Sequence, residues 1–212
     1  MDLSELLRRR RMVRDYETDR PVAADQVEAV LAAMLRAPSA GFTQGVSLLA
    51  LIDVADRDAF WSAAARGESR WLARIREAPV VILVWTSQAA YLERYAEPDK
   101  GWTDRDPDRW SAPYWFVDAG MASMAGLLAA VDAGLGACFF GVPADRLEAV
   151  RETFEVPADQ LSVGALSLGH PAPPRSAGSS ARRARRPPED LIHRGRWNSP
   201  GCDRVAETVT LP

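Results

Sequence analysis

The chain has 212 residues, 47% of them hydrophobic, with 29 acidic against 26 basic side chains and a formal net charge of −3. That length suits one domain with a sizeable core, and the acidic balance argues against a general nucleic-acid binder. All the basic residues but Lys100 are arginine, so an arginine cluster carries less weight here than usual.

Residues 2–9 read as a short amphipathic helix. Over 24–36, Val27, Val30, Leu31, Met34 and Leu35 recur at helical spacing, and Pro38 ends the helix. Residues 47–52 form an apolar run of strand length, and 56–66 and 68–76 read as helices. Residues 79–85, Pro-Val-Val-Ile-Leu-Val-Trp, make the clearest buried strand, being uncharged and β-branched. A surface helix and a long loop are predicted across 88–112, which holds Tyr91, Tyr95, Trp102 and Trp110; long loops are often functional. Residues 114–133 read as a helix whose small residues, among them Ala119, Gly120 and Gly126, allow another helix to approach closely. Residues 137–141 and 162–168 read as strands around a helix at 144–154. Residues 172–188, rich in Pro, Ser, Gly and Arg, read as an extended surface segment. Residues 204–211 alternate in polarity and read as a terminal strand reaching another sheet, in a second subunit. About four strands among about seven helices predict an α+β or α/β domain with one mixed sheet.

The apolar stretch 113–134 approaches membrane-spanning length. A charge at the centre of a spanning helix costs roughly 3 kcal/mol or more, and Asp118 and Asp132 lie inside this stretch. The expectation is therefore a buried helix and no membrane span. The N-terminus shows no apolar signal core. Cys138 and Cys202 fall at no redox-type or metal-type spacing, and a reducing cytoplasm is expected.

Several chemistries are missing. There is no G-x-S-x-G elbow and no P-loop, and His170 and His193 have no ligand partner at metal spacing. The glycine-rich run 134–141 has the wrong order for a dinucleotide loop, because it ends a helix and enters a strand. Gly134 or Gly136 reads instead as a helix C-cap. A chain without nucleophile, metal or acid–base pair can still be an enzyme if a cofactor carries the chemistry. Candidate holders of an anionic group are Arg10, Arg14 and Arg74, with Arg183, Arg185 and Arg186. A charge-assisted hydrogen bond contributes roughly 1.5–3 kcal/mol, so two or three on one phosphate make a large part of micromolar binding, about 8 kcal/mol.

Five segments in chain order bring these residues into one pattern. They are Arg10-Arg11-Met12-Val13-Arg14, Ala37-Pro38-Ser39-Ala40-Gly41-Phe42-Thr43-Gln44, Arg74-Ile75-Arg76-Glu77-Ala78-Pro79-Val80-Val81, Ala133-Gly134-Leu135-Gly136-Ala137-Cys138, and Gly169-His170-Pro171 with Arg183-Ala184-Arg185-Arg186-Pro187 and Leu191-Ile192-His193. Together they resemble the FMN-dependent nitroreductase family. The resemblance implies a single α+β domain over 1–212 with a nitroreductase-like fold: a central mixed sheet flanked by helices. It also implies that 172–212 is an extended segment reaching the partner of a homodimer, with the C-terminal strand exchanged.

It further implies FMN at the subunit interface. Arg10, Arg183 and Arg185 match positions that hold the phosphate, in segments shared with Arg11 and Met12. Arg14 and Arg74 match cations beside flavin N1 and O2, where positive charge stabilises the reduced ring. Pro38 and Ser39, with Ala40, match the partner chain's packing on the flavin, and the backbone N–H near Phe140 or Gly141 matches the group facing N5. This chain departs from the pattern at Met12 (usually Ser), Phe42 (usually Asn), Gly45 with Val46 (usually Pro and an aromatic) and Trp71 (Asn in some members).

The activity implied is hydride transfer from NADH or NADPH to flavin, then reduction of a quinone, nitroaromatic or similar small acceptor by ping-pong. Other expectations on the same fold are a flavin-dependent dehydrogenase, a dehalogenase, a flavin-degrading enzyme, or a flavin-binding protein without turnover. Phe60, Trp61, Trp71, Trp102, Trp110, Tyr114 and Trp115 concentrate in one half of the chain. They read either as dimer core and helix packing or as an aromatic wall above the flavin, with 98–112 as its lid.

Overall fold

A computed structural model describes residues 1–175 and 183–197. The chain divides into two units between Pro173 and Pro174, and the sheet and long helices belong to the first. Their order is α1 (Leu3–Arg9), α2 (Ala24–Leu35), β1 (Val46–Leu51), α3 (Val54–Ala64), α4 (Arg70–Ile75), β2 (Val80–Ser87), α5 (Gln88–Ala96), α6 (Tyr114–Asp132), β3 (Gly136–Phe140), α7 (Leu147–Thr153) and β4 (Gln160–Gly169). Short 3-10 turns stand at Ala40–Phe42, Pro107–Arg109 and Ala144–Arg146. The last of these takes the opening turn of the helix expected from residue 144. In the second unit a 3-10 turn covers Pro188–Asp190. The strand expected at 204–211 lies outside the described residues.

The sheet order is β1-β2-β4-β3, and all three pairings are antiparallel. The parallel component expected of a mixed sheet is one bridge, between Met12 and Ala137 beside β3. β2 is buried along its whole length. Its alternation sends Val81, Leu83 and Trp85 into a core with Phe60, Ile75 and Val150. Val80, Ile82 and Val84 face the opposite core with Val27, Met34 and Leu127. A side-chain period of two thus makes one uncharged strand the centre of a helix–sheet–helix sandwich.

α6 packs against α2 and against the sheet, which is why its sequence is apolar almost all round. It is the one described helix long and apolar enough to cross a membrane, and 44% of its most apolar window is buried inside the fold. It ends as the glycine predicts: Gly134 takes φ +73. Leu135 N–H donates to Ala130 O at 2.7 Å and Gly134 N–H to Val131 O at 3.1 Å, a Schellman cap.

Two details shape the end of β3. The β2–β4 register shifts between Val84 and Trp85, and nearby Gly164 has φ +148. A Cβ at Gly164 would stand 2.7 Å from both Phe140 O and the Phe139 ring. Only glycine lets β4 bend there and bring Phe140 close.

Candidate functional site

The segment after α1 lies along β3, where it is fixed at successive points. Val13 N–H donates to Ala137 O at 2.9 Å, and Phe139 N–H donates to Met12 Sδ at 3.4 Å. Tyr16 OH donates to Val13 O at 2.7 Å and shares a 2.7 Å hydrogen bond with Ser167 Oγ. Met12 therefore uses its thioether to cap an edge N–H of β3. Arg8 and Arg9 pair with Glu5, and Arg20 pairs with Glu17. Arg10, Arg11 and Arg14 form no ion pair among the described residues; Arg14 Nη1 donates to Met12 O at 3.1 Å. The result is a run of three arginines without ion-pair partners among the described residues, on a backbone fixed along β3.

Asp15 ties this run to α4. Its carboxylate is almost fully buried and accepts from Arg74 Nε at 2.7 Å and from Arg74 Nη2. Breaking a buried pair of this kind costs about 3–5 kcal/mol, so the pair holds α4 against the segment. α4 begins at Arg70 because Ser69 Oγ accepts from Leu72 N–H at 3.0 Å, and this start sets Trp71 beside β3.

A cleft of about 310 Å³ opens between the α3–α4 connection and the end of β3, lined among others by Trp61, Trp71, Phe140 and Gly141. Trp61 stacks on Phe140 with centroids 5.6 Å apart and planes at 18°. Trp71 meets Phe140 edge-on at 5.4 Å, and Phe60 backs Trp61 at 4.7 Å. The Trp61 indole N–H is buried without a hydrogen-bond partner, as are those of Trp85 and Trp110 away from the cleft, each a deficit of about 1–3 kcal/mol. Arg66 on one wall donates through Nε to Asp145 Oδ1 at 2.8 Å, just past Pro143 on the other. No group of three or more metal-ligating side chains exists among the described residues. Cys138 is buried, and burial pushes its thiol pKa up, so it belongs to the core rather than to nucleophilic chemistry.

The nitroreductase family model matches residues 7–170. The chain belongs to that family. It is 28% identical over 174 residues to a protein of Methanothermobacter thermautotrophicus provisionally named NADH dehydrogenase/NAD(P)H nitroreductase, covering 81% of this chain and 78% of that one. A provisionally assigned nitroreductase of Desulfovibrio desulfuricans, solved in complex with FMN, superposes with a TM-score of 0.69 at 24% identity, covering 93% of this chain and 99% of that one. Another from Exiguobacterium sibiricum, also solved with FMN, gives a TM-score of 0.73 at 19% identity over 91% of this chain and 97% of that one. The fold expected from the sequence is the fold observed.

Within this nitroreductase-family chain, the residues singled out by sequence fall into three places. Arg10, Arg11, Met12, Arg14, Arg74, Phe140 and Gly141 gather at the β3 edge. Pro38, Ser39 and Ala40 lead into β1, at the other edge of the sheet. Three strand spacings of about 4.8 Å put roughly 14 Å between those edges. Arg183 and Arg185 are exposed in the second unit.

The aromatic residues also divide. Phe60, Trp61 and Trp71 line the cleft with Phe140. Trp110 does not; it packs against Tyr95 at 4.3 Å, Trp102 at 5.4 Å and Tyr114 at 5.5 Å, with Tyr91 and Trp115 behind. The loop after α5 is knit into that cluster. Sequence reasoning missed Asp15, whose partner lies 59 residues away. It noticed Asp118 only as a charge in an apolar helix.

Proposed function

We propose that this chain is an FMN-dependent oxidoreductase acting as a homodimer, reduced by NADH or NADPH and reducing a quinone, nitroaromatic or similar small acceptor. The observation that carries the proposal is the juxtaposition at the β3 edge. Arg10, Arg11 and Arg14, without ion-pair partners among the described residues, flank Met12, which caps the N–H of Phe139, the residue before the cleft-lining Phe140 and Gly141. A doubly charged phosphate suits the first, and a flat polar ring suits the second. The cleft volume lies at the lower end of the range for small-molecule sites, roughly 300–1,000 Å³, which fits a site that a second chain completes.

Arg10 and Arg11 would hold the phosphate, joined by Arg183 and Arg185 on the family pattern. Arg14 and Arg74 would place positive charge beside the ring's N1 edge, where it favours the reduced form. FMN, when bound, supplies the two-electron chemistry between the nicotinamide and the acceptor. Trp61, Trp71 and Phe140 would exclude water and orient a flat acceptor. Asp15 keeps Arg74 oriented and prevents it from swinging into solvent.

The dimer is supported by the separation of the two sheet edges and by exposed apolar side chains. Phe42 is 75% exposed, and Phe116, Val117 and Met121 of α6 are 38–45% exposed. A second copy would cover that face and bring its Pro38 and Ser39 to the cleft. Of the segment 172–212 expected to reach the partner, residues 176–182 and 198–212 lie outside the described residues.

The test is the absorbance spectrum of the purified protein, identification of any released cofactor, and anaerobic titration with NADH and NADPH. A yellow protein that releases FMN and bleaches with either nucleotide is the expected result. A colourless chain that gains no flavin spectrum on mixing with FMN overturns the proposal. Tight FMN binding with inertness to both nucleotides would move the reading to a dehydrogenase or another flavin chemistry.

A further inference from the structure

Asp118 is the one carboxylate of the buried half of α6, and it has two neutral donors on a single oxygen. Its Oδ2 accepts from Tyr91 OH at 2.7 Å and from the backbone N–H of Ala40 at 2.8 Å. The side chain is 3% exposed, and no salt bridge to it occurs among the described residues. Burying a carboxylate without a cation is costly, several kcal/mol after relaxation. A hydrophobic side chain at this position of an apolar helix would be the cheaper solution if packing were the only requirement.

The price is matched by what the carboxylate holds. The loop between α2 and β1 carries a strained backbone, with Phe42 at φ +57 and Gln44 at φ +55. Non-glycine residues in that region cost of order 1–3 kcal/mol each and persist only where surroundings over-determine them. The surroundings here come from α5 and α6. Arg94 Nε donates to Gly41 O at 2.8 Å, and Tyr91 lies so close under Gly45 that a Cβ there would stand 2.5 Å from its ring. Asp118 binds the N–H of Ala40, the residue directly after Pro38 and Ser39. Ser39 Oγ in turn accepts from Gln44 N–H at 2.9 Å. Burial first, and then Asp118, push the Tyr91 phenol up from its ordinary pKa, so the phenol stays a donor throughout the neutral range.

We propose that Asp118 is a positioning residue: through the Ala40 N–H, with Tyr91 steering its carboxylate, it sets the orientation in which Pro38 and Ser39 meet the flavin bound by a second copy. This rests on the FMN-dependent dimer proposed above. The shared use of one oxygen makes a specific forecast. Asparagine keeps an acceptor at that point, so Asp118→Asn should retain the geometry, whereas Asp118→Ala removes it.

The experiment compares the full chain with its Asp118→Ala, Asp118→Asn and Tyr91→Phe variants. It reads amide exchange of the peptide containing Ala40 without cofactor, and FMN affinity by flavin fluorescence. Asp118→Ala is expected to speed exchange at Ala40 and weaken FMN about tenfold, a loss of about 1.4 kcal/mol. Tyr91→Phe should do both more weakly, and Asp118→Asn should restore both. Should Asp118→Ala not fold, Tyr91→Phe alone decides: wild-type exchange and wild-type affinity in that variant overturn the inference. Faster exchange with unchanged FMN affinity would make Asp118 purely structural and also overturn it. A wild-type chain that binds no FMN overturns the cofactor reading and the ligand half of this inference, while the exchange data still decide whether Asp118 holds the loop.

Discussion

The two edges of the sheet are built on opposite principles. At the β3 edge, three arginines stand without ion-pair partners among the described residues, and a cleft is open. At the β1 edge nearly everything is closed. Trp110 sits in a ring of aromatic neighbours, Arg94 pairs with Asp99, Arg105 pairs with Glu93, and Asp118 pins the loop that precedes β1. Arginines without ion-pair partners near an open cleft are available to an anionic ligand. A locked, strained loop is retained where a surface must be presented in one shape. This contrast fits the division of labour proposed above, one edge receiving a ligand and the other forming a wall for a neighbour's ligand.

The largest expected effect tests the receiving edge. Arg10→Ala with Arg14→Ala should weaken FMN binding at least about 100-fold, because two charge-assisted hydrogen bonds contribute roughly 3–6 kcal/mol together. Fluorescence titration reads this, with Arg105→Ala, at the other edge, expected to bind FMN as wild type does. The Arg10→Ala, Arg14→Ala chain sharpens the comparison further when mixed and refolded with a chain in which Pro38 and Ser39 are both replaced by glycine. Random pairing in a two-fold dimer gives half heterodimers, each with one intact site, so about a quarter of wild-type flavin binding should return. No recovery would mean that each chain serves its own ligand with both edges.

Next in size is a contrast between two tryptophans. Trp110→Ala should cost about 3 kcal/mol of unfolding free energy by urea denaturation, because it empties the centre of an aromatic cluster. Trp71→Ala should leave stability nearly unchanged, since Trp71 is 40% exposed. It should instead raise KM for a flat aromatic acceptor about 3–10-fold, the worth of one ring contact. The reverse outcome would exchange the roles assigned to the two clusters.

The smallest effect is a pH response of the closed edge. Hydrogen bonds from Arg105 and Arg94 hold Glu93 and Asp99 below their ordinary carboxylate values. A depressed pKa contributes stability that is complete above the unfolded value and is lost as pH falls through the folded one. Amide protection in 97–113, taken relative to intrinsic exchange at each pH, should therefore be flat through the neutral range and fall only below about pH 4. A loss of protection near pH 6 would point to another group.

Much of this was legible in the residues themselves. The helical spacing of Val27, Val30 and Met34, the uncharged run that became β2, and the glycine after α6 are local signals, and local signals survive in sequence. The five ordered segments pointed to the family because each carries a side-chain or backbone requirement at a fixed place. What the sequence could not place was the meeting of distant side chains. Asp15 and Arg74, or Asp118 with Ala40 and Tyr91, are joined only by the path of the chain through three layers. Trp110 and Trp71 look equally suited to a pocket in a one-dimensional reading. The tertiary structure assigned one to a packed cluster and the other to the cleft, because pocket walls are made by which surfaces remain uncovered after the core has formed. The sequence by itself determined the main strand and helix segments, the family and the arginine-rich block; only the folded chain decided the antiparallel strand order, which charges are paired, which rings are buried, and that the two halves of the expected site lie on opposite edges of one sheet.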